Sequence, residues 1–157
     1  MSLLWPDTVH VGLFPGASWL KTKRTKGIQP FSDAQAHDPG ALLGDLETAL
    51  DALTEKLCKG SNIVVTVSDS IAAVTTMPWQ SALSRTDELK NYARICFEKL
   101  GMEIDDGWTM HAEFRDYGAM GLAYALPNAW LVELIEMLKA RDLKLQNVLP
   151  ASARIYS

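Results

Sequence analysis

The run Ile63-Val64-Val65-Thr66-Val67 constrains this chain more than any other feature. β-Branched side chains on consecutive positions favour an extended backbone and put apolar groups on both of its sides, so the segment needs cover on two faces. It therefore reads as a central strand of a sheet with helices packed against it. Ser68-Asp69-Ser70 supplies turn residues, and Ile71 to Met77 runs on as a second extended segment, so a hairpin ending at Pro78-Trp79 is expected.

Helical periods surround this strand. Leu42, Leu46, Leu50, Leu53 and Leu57 recur at spacings of three and four, predicting a helix over 41–57 with Gly60 at its C-terminal cap. Ser84, followed by Asp87 and Glu88, opens a second helix whose apolar stripe is Leu89, Ala93, Cys96, Phe97 and Leu100, with Gly101 as its stop. Leu131, Leu134, Ile135 and Leu138 mark a third, opened by Asn128 and closed by Lys139 and Arg141.

Between the helices the period changes to two. Val9, Val11 and Leu13 lead through Pro15-Gly16 to a returning strand at Trp19 to Thr22. Trp108, Met110, Ala112 and Phe114 alternate with Thr109, His111, Glu113 and Arg115, turn at Asp116-Tyr117-Gly118, and return over Met120 to Leu126. Leu143 to Leu149 is the last strand. The stretch 26–40, rich in Pro, Asp, Gln and Gly and without a period, reads as a loop. The order strand, strand, helix, strand, strand, helix, strand, strand, helix, strand predicts an α/β fold, a mixed sheet with flanking helices, as a single domain over 1–157. A ferredoxin-like sandwich is the alternative winding.

Composition narrows the chemistry. With 48% apolar and 22% charged residues the chain buries a core without disulfide or metal staples. A net charge of −4 gives no general attraction for nucleic acid or an anionic membrane. The opening residues lack the basic and apolar pattern of a secretory leader. The longest uncharged run, Tyr117 to Val132, is interrupted by Pro127 and Asn128 and is too short to span a bilayer, so a cytoplasmic chain with no direct membrane insertion is expected.

No catalytic or metal constellation emerges. Cys58 and Cys96 fall on apolar helix sides as reduced core residues. His10, His37 and His111 have no ligand spacing, and Ser18, Ser68 and Ser70 sit in no nucleophile frame. Asp105-Asp106 beside Gly107 is a turn. Lys21, Lys23, Arg24 and Lys26 form one dense basic cluster, read as a solvated strand end. Trp79 and Trp130 lie beside element ends, where aromatics serve either a core or an interface.

The stretch Gly12-Leu13-Phe14-Pro15-Gly16-Ala17-Ser18-Trp19-Leu20-Lys21 resembles the first phosphate loop of actin-like ATPases, a strand, a Gly-containing turn and a returning strand that ends in Lys. Val64 to Val67, a turn, and Ile71 to Met77-Pro78-Trp79 before a Ser/Asp-started helix are similar to a stretch of the pilus assembly protein PilM and the type II secretion protein GspL. So is the tail, where Gly121 to Pro127 leads to a helix and Leu143 to Pro150 reaches Ala151-Ser152-Ala153, an Ala that opens the next helix in that family. The resemblance covers most of the chain and leaves 26–40 outside it.

It implies half of an actin-like (RNase H-like) fold. It also implies a degenerate phosphate loop at Gly12, Phe14, Gly16 and Lys21, since Phe14 stands where those ATPases carry a metal-associated Asp. The family's second phosphate loop and adenosine site belong to a second half, beyond the stretch that this sequence resembles. The implied function is a non-catalytic cytoplasmic scaffold or adaptor of a pilus or type II secretion-like envelope assembly, with no cofactor and no metal. Its implied partner is an inner-membrane pilus or secretion component, which would hold it peripherally at that membrane, or a second copy. Met77, Pro78, Trp79 and Trp130 are the candidate interface. The alternatives are a small-ligand-binding domain and an RNase H-like nuclease or hydrolase; the nuclease requires clustered carboxylates on central strands, and Val9 to Phe14 carries none.

Overall fold

The computed structural model describes residues 7–32, 38–53, 57 and 59–156. Their order is β1 (Thr8–Leu13), β2 (Ser18–Lys21), β3 (Gln29–Ser32), α1 (Pro39–Leu53), β4 (Asn62–Val67), β5 (Ala73–Met77), α2 (Thr86–Lys99), β6 (Trp108–Glu113), β7 (Gly121–Pro127), α3 (Asn128–Lys139), β8 (Lys144–Pro150) and α4 (Ala151–Tyr156). The chain divides into two compact units, Met1–Ser68 with Trp130–Leu149, and Asp69–Ala129 with Pro150–Ser157. No helix among the described residues is long and apolar enough to cross a membrane.

The first unit is built on a mixed five-stranded sheet of order β3-β2-β1-β4-β8. β1 pairs antiparallel with β2, Val11 opposite Leu20, and parallel with β4, Val11 opposite Val65. Val11 and Val65 thus share one sheet, as the α/β reading requires. Val9, Val11, Leu13, Ile63, Val65 and Val67 are completely buried, as are Leu42 and Leu46 of α1 and Leu134 and Leu138 of α3. Each such side chain contributes about 1.5–3 kcal/mol, so this cluster dominates the unit's stability.

Polar contacts then set the geometry of the two helices. The Trp130 indole N–H donates to the Pro39 carbonyl at 3.1 Å. Arg141, just past α3, donates Nε to Asp51 at 2.8 Å and Nη2 to Glu47 at 3.0 Å, both on α1, and Nη1 to the Met137 carbonyl at 2.9 Å.

Two expectations change here, and a third lies partly outside the described residues. The stretch 26–40 is not all loop: β3 pairs with β2 inside it and α1 begins at Pro39. Pro30 and a register shift between Ser18 and Trp19 place β3 at an edge, and an edge strand needs no alternating apolar pattern. The hairpin over 63–77 does not form either. β4 is flanked by β1 and β8, so both its edges are taken, and β5 pairs in another sheet. The helix expected to run to Leu57 is described as far as Leu53, and residues 54–56 and Cys58 lie outside the described residues.

The second unit has an antiparallel sheet of order β5-β7-β6. Met77, Phe97, Ala123 and Ala125 are at its centre with Ala93, Cys96, Met110 and Ala112. Strand β6 keeps the predicted alternation, with Met110 and Ala112 buried and Thr109 and His111 exposed. At the start of α2 the Glu88 carboxylate accepts the Arg85 amide at 3.3 Å, so the capping residue is Arg85 and Ser84 lies one position outside. At its end Gly101 takes φ of 76°, and the Gly101 and Met102 amides close onto Glu98 and Phe97 carbonyls. That turn carries Leu100 off the stripe to 58% exposure. α4, opened by Ala151, is held by the Asp69 carboxylate on Ser152 and by the Tyr156 hydroxyl on the Met120 carbonyl.

Two predictions follow from the first unit. Gly12 lies opposite Trp19, and a Cβ on Gly12 would come within 2.3 Å of the indole. Gly12→Ala is expected to cost about 1–3 kcal/mol through overpacking, read as a lower urea midpoint at unchanged slope. Adding Trp19→Ala should recover part of that cost, and simple additivity of the two losses would refute the packing explanation. The hydrogen bond from Arg141 lowers the Asp51 pKa, outweighing the opposing effect of desolvation. A depressed carboxylate stabilises the fold above its unfolded pKa of about 4 and ceases to do so as pH falls through the folded value. The stability gap between wild type and Arg141→Met should therefore be largest near neutral pH and shrink below about pH 4, whereas a gap unchanged on acidification counts against this.

Candidate functional site

The β1–β2 turn is the first candidate. Gly16 takes φ of 77°, the left-handed conformation that a turn of this kind asks of glycine. The Phe14 amide donates to Ser18 Oγ at 3.3 Å, the Ser18 hydroxyl donates back to the Phe14 carbonyl at 3.1 Å, and the Ala17 amide donates to that same carbonyl at 3.1 Å. Pro15 has no N–H to offer. Gly16 thus carries the remaining amide of the turn, where a phosphate cradle uses several converging ones.

The other residues named for the resemblance lie on the same hairpin. Gly12 is bare because the Trp19 indole rests on it. Phe14 puts a half-buried hydrocarbon ring at the turn. Lys21 ends β2 opposite His10, both exposed. In the basic cluster Arg24 lies 3.6 Å from Asp7, and Lys21, Lys23 and Lys26 are exposed. The stretch is therefore a tight hairpin whose polar atoms are committed to the turn itself.

The second candidate is the interface set. Met77 occupies an inward position of β5 and is completely buried, and Trp130 is 5% exposed on the α3 face that carries Leu134 and Leu138. Neither presents a surface, so both are corrected to core residues of their own units. Pro78 and Trp79 do reach the surface. The Trp79 ring meets Phe114 edge-on at 4.9 Å and Tyr117 at 5.0 Å, and Tyr117 is 90% exposed. The Pro78 carbonyl accepts the Tyr92 hydroxyl at 3.1 Å, which anchors the strand end. The result is an aromatic patch of the second unit, drawn from the end of β5, the end of β6 and the β6–β7 turn.

Sequence reasoning assigned Phe114 to an alternating strand and Tyr117 to a turn, and so missed that they meet Trp79. Periodicity sorts residues within a segment, whereas this patch joins three segments. The signal available was that a Trp, a Phe and a Tyr each adjoin a turn.

The remaining titratable residues build no second site. His111 lies 3.6 Å from Glu113 and 5.3 Å, ring to ring, from Tyr124, whose pKa is raised by burial and then by the charge of Glu113. Cys96 is buried in the core. His37 lies outside the described residues. Among the described residues no three His, Cys, Asp or Glu side chains are grouped to hold a metal ion.

No protein-family model matches the chain, and no curated protein matches it. Solved structures do share its fold. The cytoplasmic domain of EpsL, an inner-membrane component of the type II secretion system of Vibrio cholerae, is similar with a TM-score of 0.57 at 14% identity, over 92% of this chain and 57% of that one. A Bacteroides thetaiotaomicron protein with an actin-like ATPase fold and unknown function is similar with a TM-score of 0.53 at 10% identity, over 95% of this chain and 53% of that one. This chain spans little more than half the length of either. The mixed α/β fold is thus shared with part of the EpsL cytoplasmic domain and with part of a protein of actin-like ATPase fold.

Proposed function

We propose that this chain is a non-catalytic scaffold or adaptor of an envelope assembly of the type II secretion or pilus kind, docking a partner through the aromatic patch around Trp79. The observation that carries the reading is the committed donor set of the β1–β2 turn, on a fold shared with the cytoplasmic domain of a secretion-system component. The segment 1–157 then acts as one actin-like half, located in the cytoplasm and held at the inner membrane through its partner. The part of the actin-like ATPase loop that orders the chain survives, and the part that holds a phosphate is replaced.

The partner surface follows from the same comparison of roles. Aromatic side chains with few rotatable bonds anchor interfaces at low entropic cost, and Tyr117 has no packing reason to be as exposed as it is. Trp79, fixed by its contacts to Phe114 and Tyr117, is the preorganised centre of the patch. A cytoplasmic segment of an inner-membrane assembly protein is the partner we assign to it, and a second copy is the competitor.

Calorimetry with ATP and Mg2+ at about 0.15 M salt should show no saturable heat, because residual attraction to the lysines is screened. Micromolar affinity that weakens on removing Mg2+ would replace the adaptor reading with a nucleotide switch. Cytoplasmic segments of inner-membrane proteins encoded beside this chain's gene supply the docking test. Trp79→Ala should weaken the segment that binds by about thirtyfold, as for an interface anchor worth about 2 kcal/mol, with the far-ultraviolet spectrum unchanged. An unaltered affinity sinks the assignment of the patch, and sedimentation of the chain alone as a Trp79-dependent dimer assigns it to self-association.

A further inference from the structure

β5 is an outer strand. β7 pairs with one of its edges along the whole run from Ala73 opposite Ala125 to Met77 opposite Gly121, and no described strand pairs with the other edge. A groove of about 470 Å3 follows that open edge. Its lining includes the consecutive residues Val74, Thr75 and Thr76, whose side chains alternate between the two faces of the sheet. Cys96 and Leu100 of the α2 region wall it on the core face, and Leu122, directly opposite Thr76, walls it on the other. A groove touching both faces and every residue of a strand segment is a groove at the backbone edge.

Outer strands of soluble proteins are ordinarily blunted by a charge, a proline or a bulge. β5 reads Ala-Val-Thr-Thr-Met and pairs with β7 without a register shift, so no charge, proline or bulge interrupts the strand itself, and Pro78, which also lines the groove, stands only at its end. Of the groove's lining, Leu100 at the end of α2 is 58% and Met120 just before β7 51% exposed, two large apolar side chains at one groove. Lys99 is the single charged residue in the described lining, it is exposed, and no ion pair or hydrogen bond engages its side chain among the described contacts.

We propose that the open edge of β5 takes a fourth strand from a partner protein: an extended segment with apolar side chains toward Leu100 and Met120 and a carboxylate placed for Lys99. Each property answers one feature. An open edge presents a row of backbone donors and acceptors that another extended backbone matches. The exposed leucine and methionine call for apolar cover. The unpaired lysine calls for an acid, and this is what disfavours a second copy, because an isologous contact brings the same lysine from both sides and leaves both unanswered. This edge adjoins the aromatic patch at Pro78, and strand addition is scored at Val74 to Thr76 without reference to Trp79, so the two proposals fail separately.

The probe is a strand-length capped peptide with valines on both faces and one central aspartate, compared with the same peptide carrying lysine there. Fluorescence anisotropy with the full chain should show the aspartate peptide binding, with amide exchange slowed within Val74 to Thr76. Lys99→Glu should weaken that peptide by about fivefold and favour the lysine peptide. No binding up to about 1 mM, binding indifferent to Lys99→Glu, or protection confined to other segments overturns the proposal. So does a peptide-free dimer in which the Val74 to Thr76 amides are already protected, which gives the edge to a second copy.

Discussion

The parallel pairing of β1 with β4 is the interaction on which the first unit depends. It runs unbroken from Thr8 opposite Asn62 to Leu13 opposite Val67 and brings six completely buried aliphatic side chains side by side. Parallel neighbours cannot be joined by a tight turn, so the chain between them must cross over, and α1 is that crossover. Its leucines at 42, 46 and 50 lie on one side at helical spacing and are spent on this contact. The ion clasp from Arg141 to Asp51 and Glu47 is partly solvated and worth little beside such a core. Its role is directional, since a fork of guanidinium donors aligns the end of α3 with two acids on α1 in a way that apolar contact alone does not.

That pairing also decides what the β1–β2 turn is able to become. Once β1 is fixed by β4, the outgoing chain at Leu13 must reverse within a few residues to place β2 on the other edge. Ser18, completely buried, performs the reversal by bonding the Phe14 amide and carbonyl together. The same polar atoms cannot also serve a phosphate. A turn stabilised from within and a turn that keeps its amides open for an anion are alternative uses of the same few donors. In this chain the glycine at position 12 admits the Trp19 indole, and the one at position 16 admits a positive φ, so both are explained by shape.

Much of this was legible because burial and period agree. The strand at 63–67 announced its central place by continuous β-branching, and β6 announced its half-buried place by strict alternation. What escaped was whatever depends on partners in space. β3 carries no period because an edge strand beside Pro30 has few apolar contacts to make. The break between β4 and β5 is invisible locally, since a strand followed by turn residues and another strand reads as a hairpin unless both edges of the first are known to be occupied. Met77 and Trp130 were placed at a surface because they adjoin element ends, yet each continues a buried row, Met77 with Ala73 and Thr75 and Trp130 with Leu134 and Leu138. Gly12, Phe14, Gly16 and Lys21 do lie on one hairpin, while the internal bonding that closes its turn depends on Ser18, which the sequence offered only as a possible nucleophile.

The aromatic patch has the opposite origin, in small residues. β7 runs Gly-Leu-Ala-Tyr-Ala-Leu-Pro, and its inward positions 121, 123 and 125 carry no side chain larger than a methyl group. Such a strand leaves room above it. Phe97 fills that room at the centre, completely buried, and Phe114 fills it at the end, where a Cβ on Gly121 would stand only 2.6 Å from the ring. Held against the bare backbone of Gly121, Phe114 presents its ring to Trp79, and Trp79 in turn stands against Tyr117. The position of the outermost aromatic therefore derives, through two ring contacts, from a missing side chain on the strand beneath. A surface built this way is rigid at its base and open at its tip, and for the docking role proposed above such a base removes the cost of ordering the aromatic side chain.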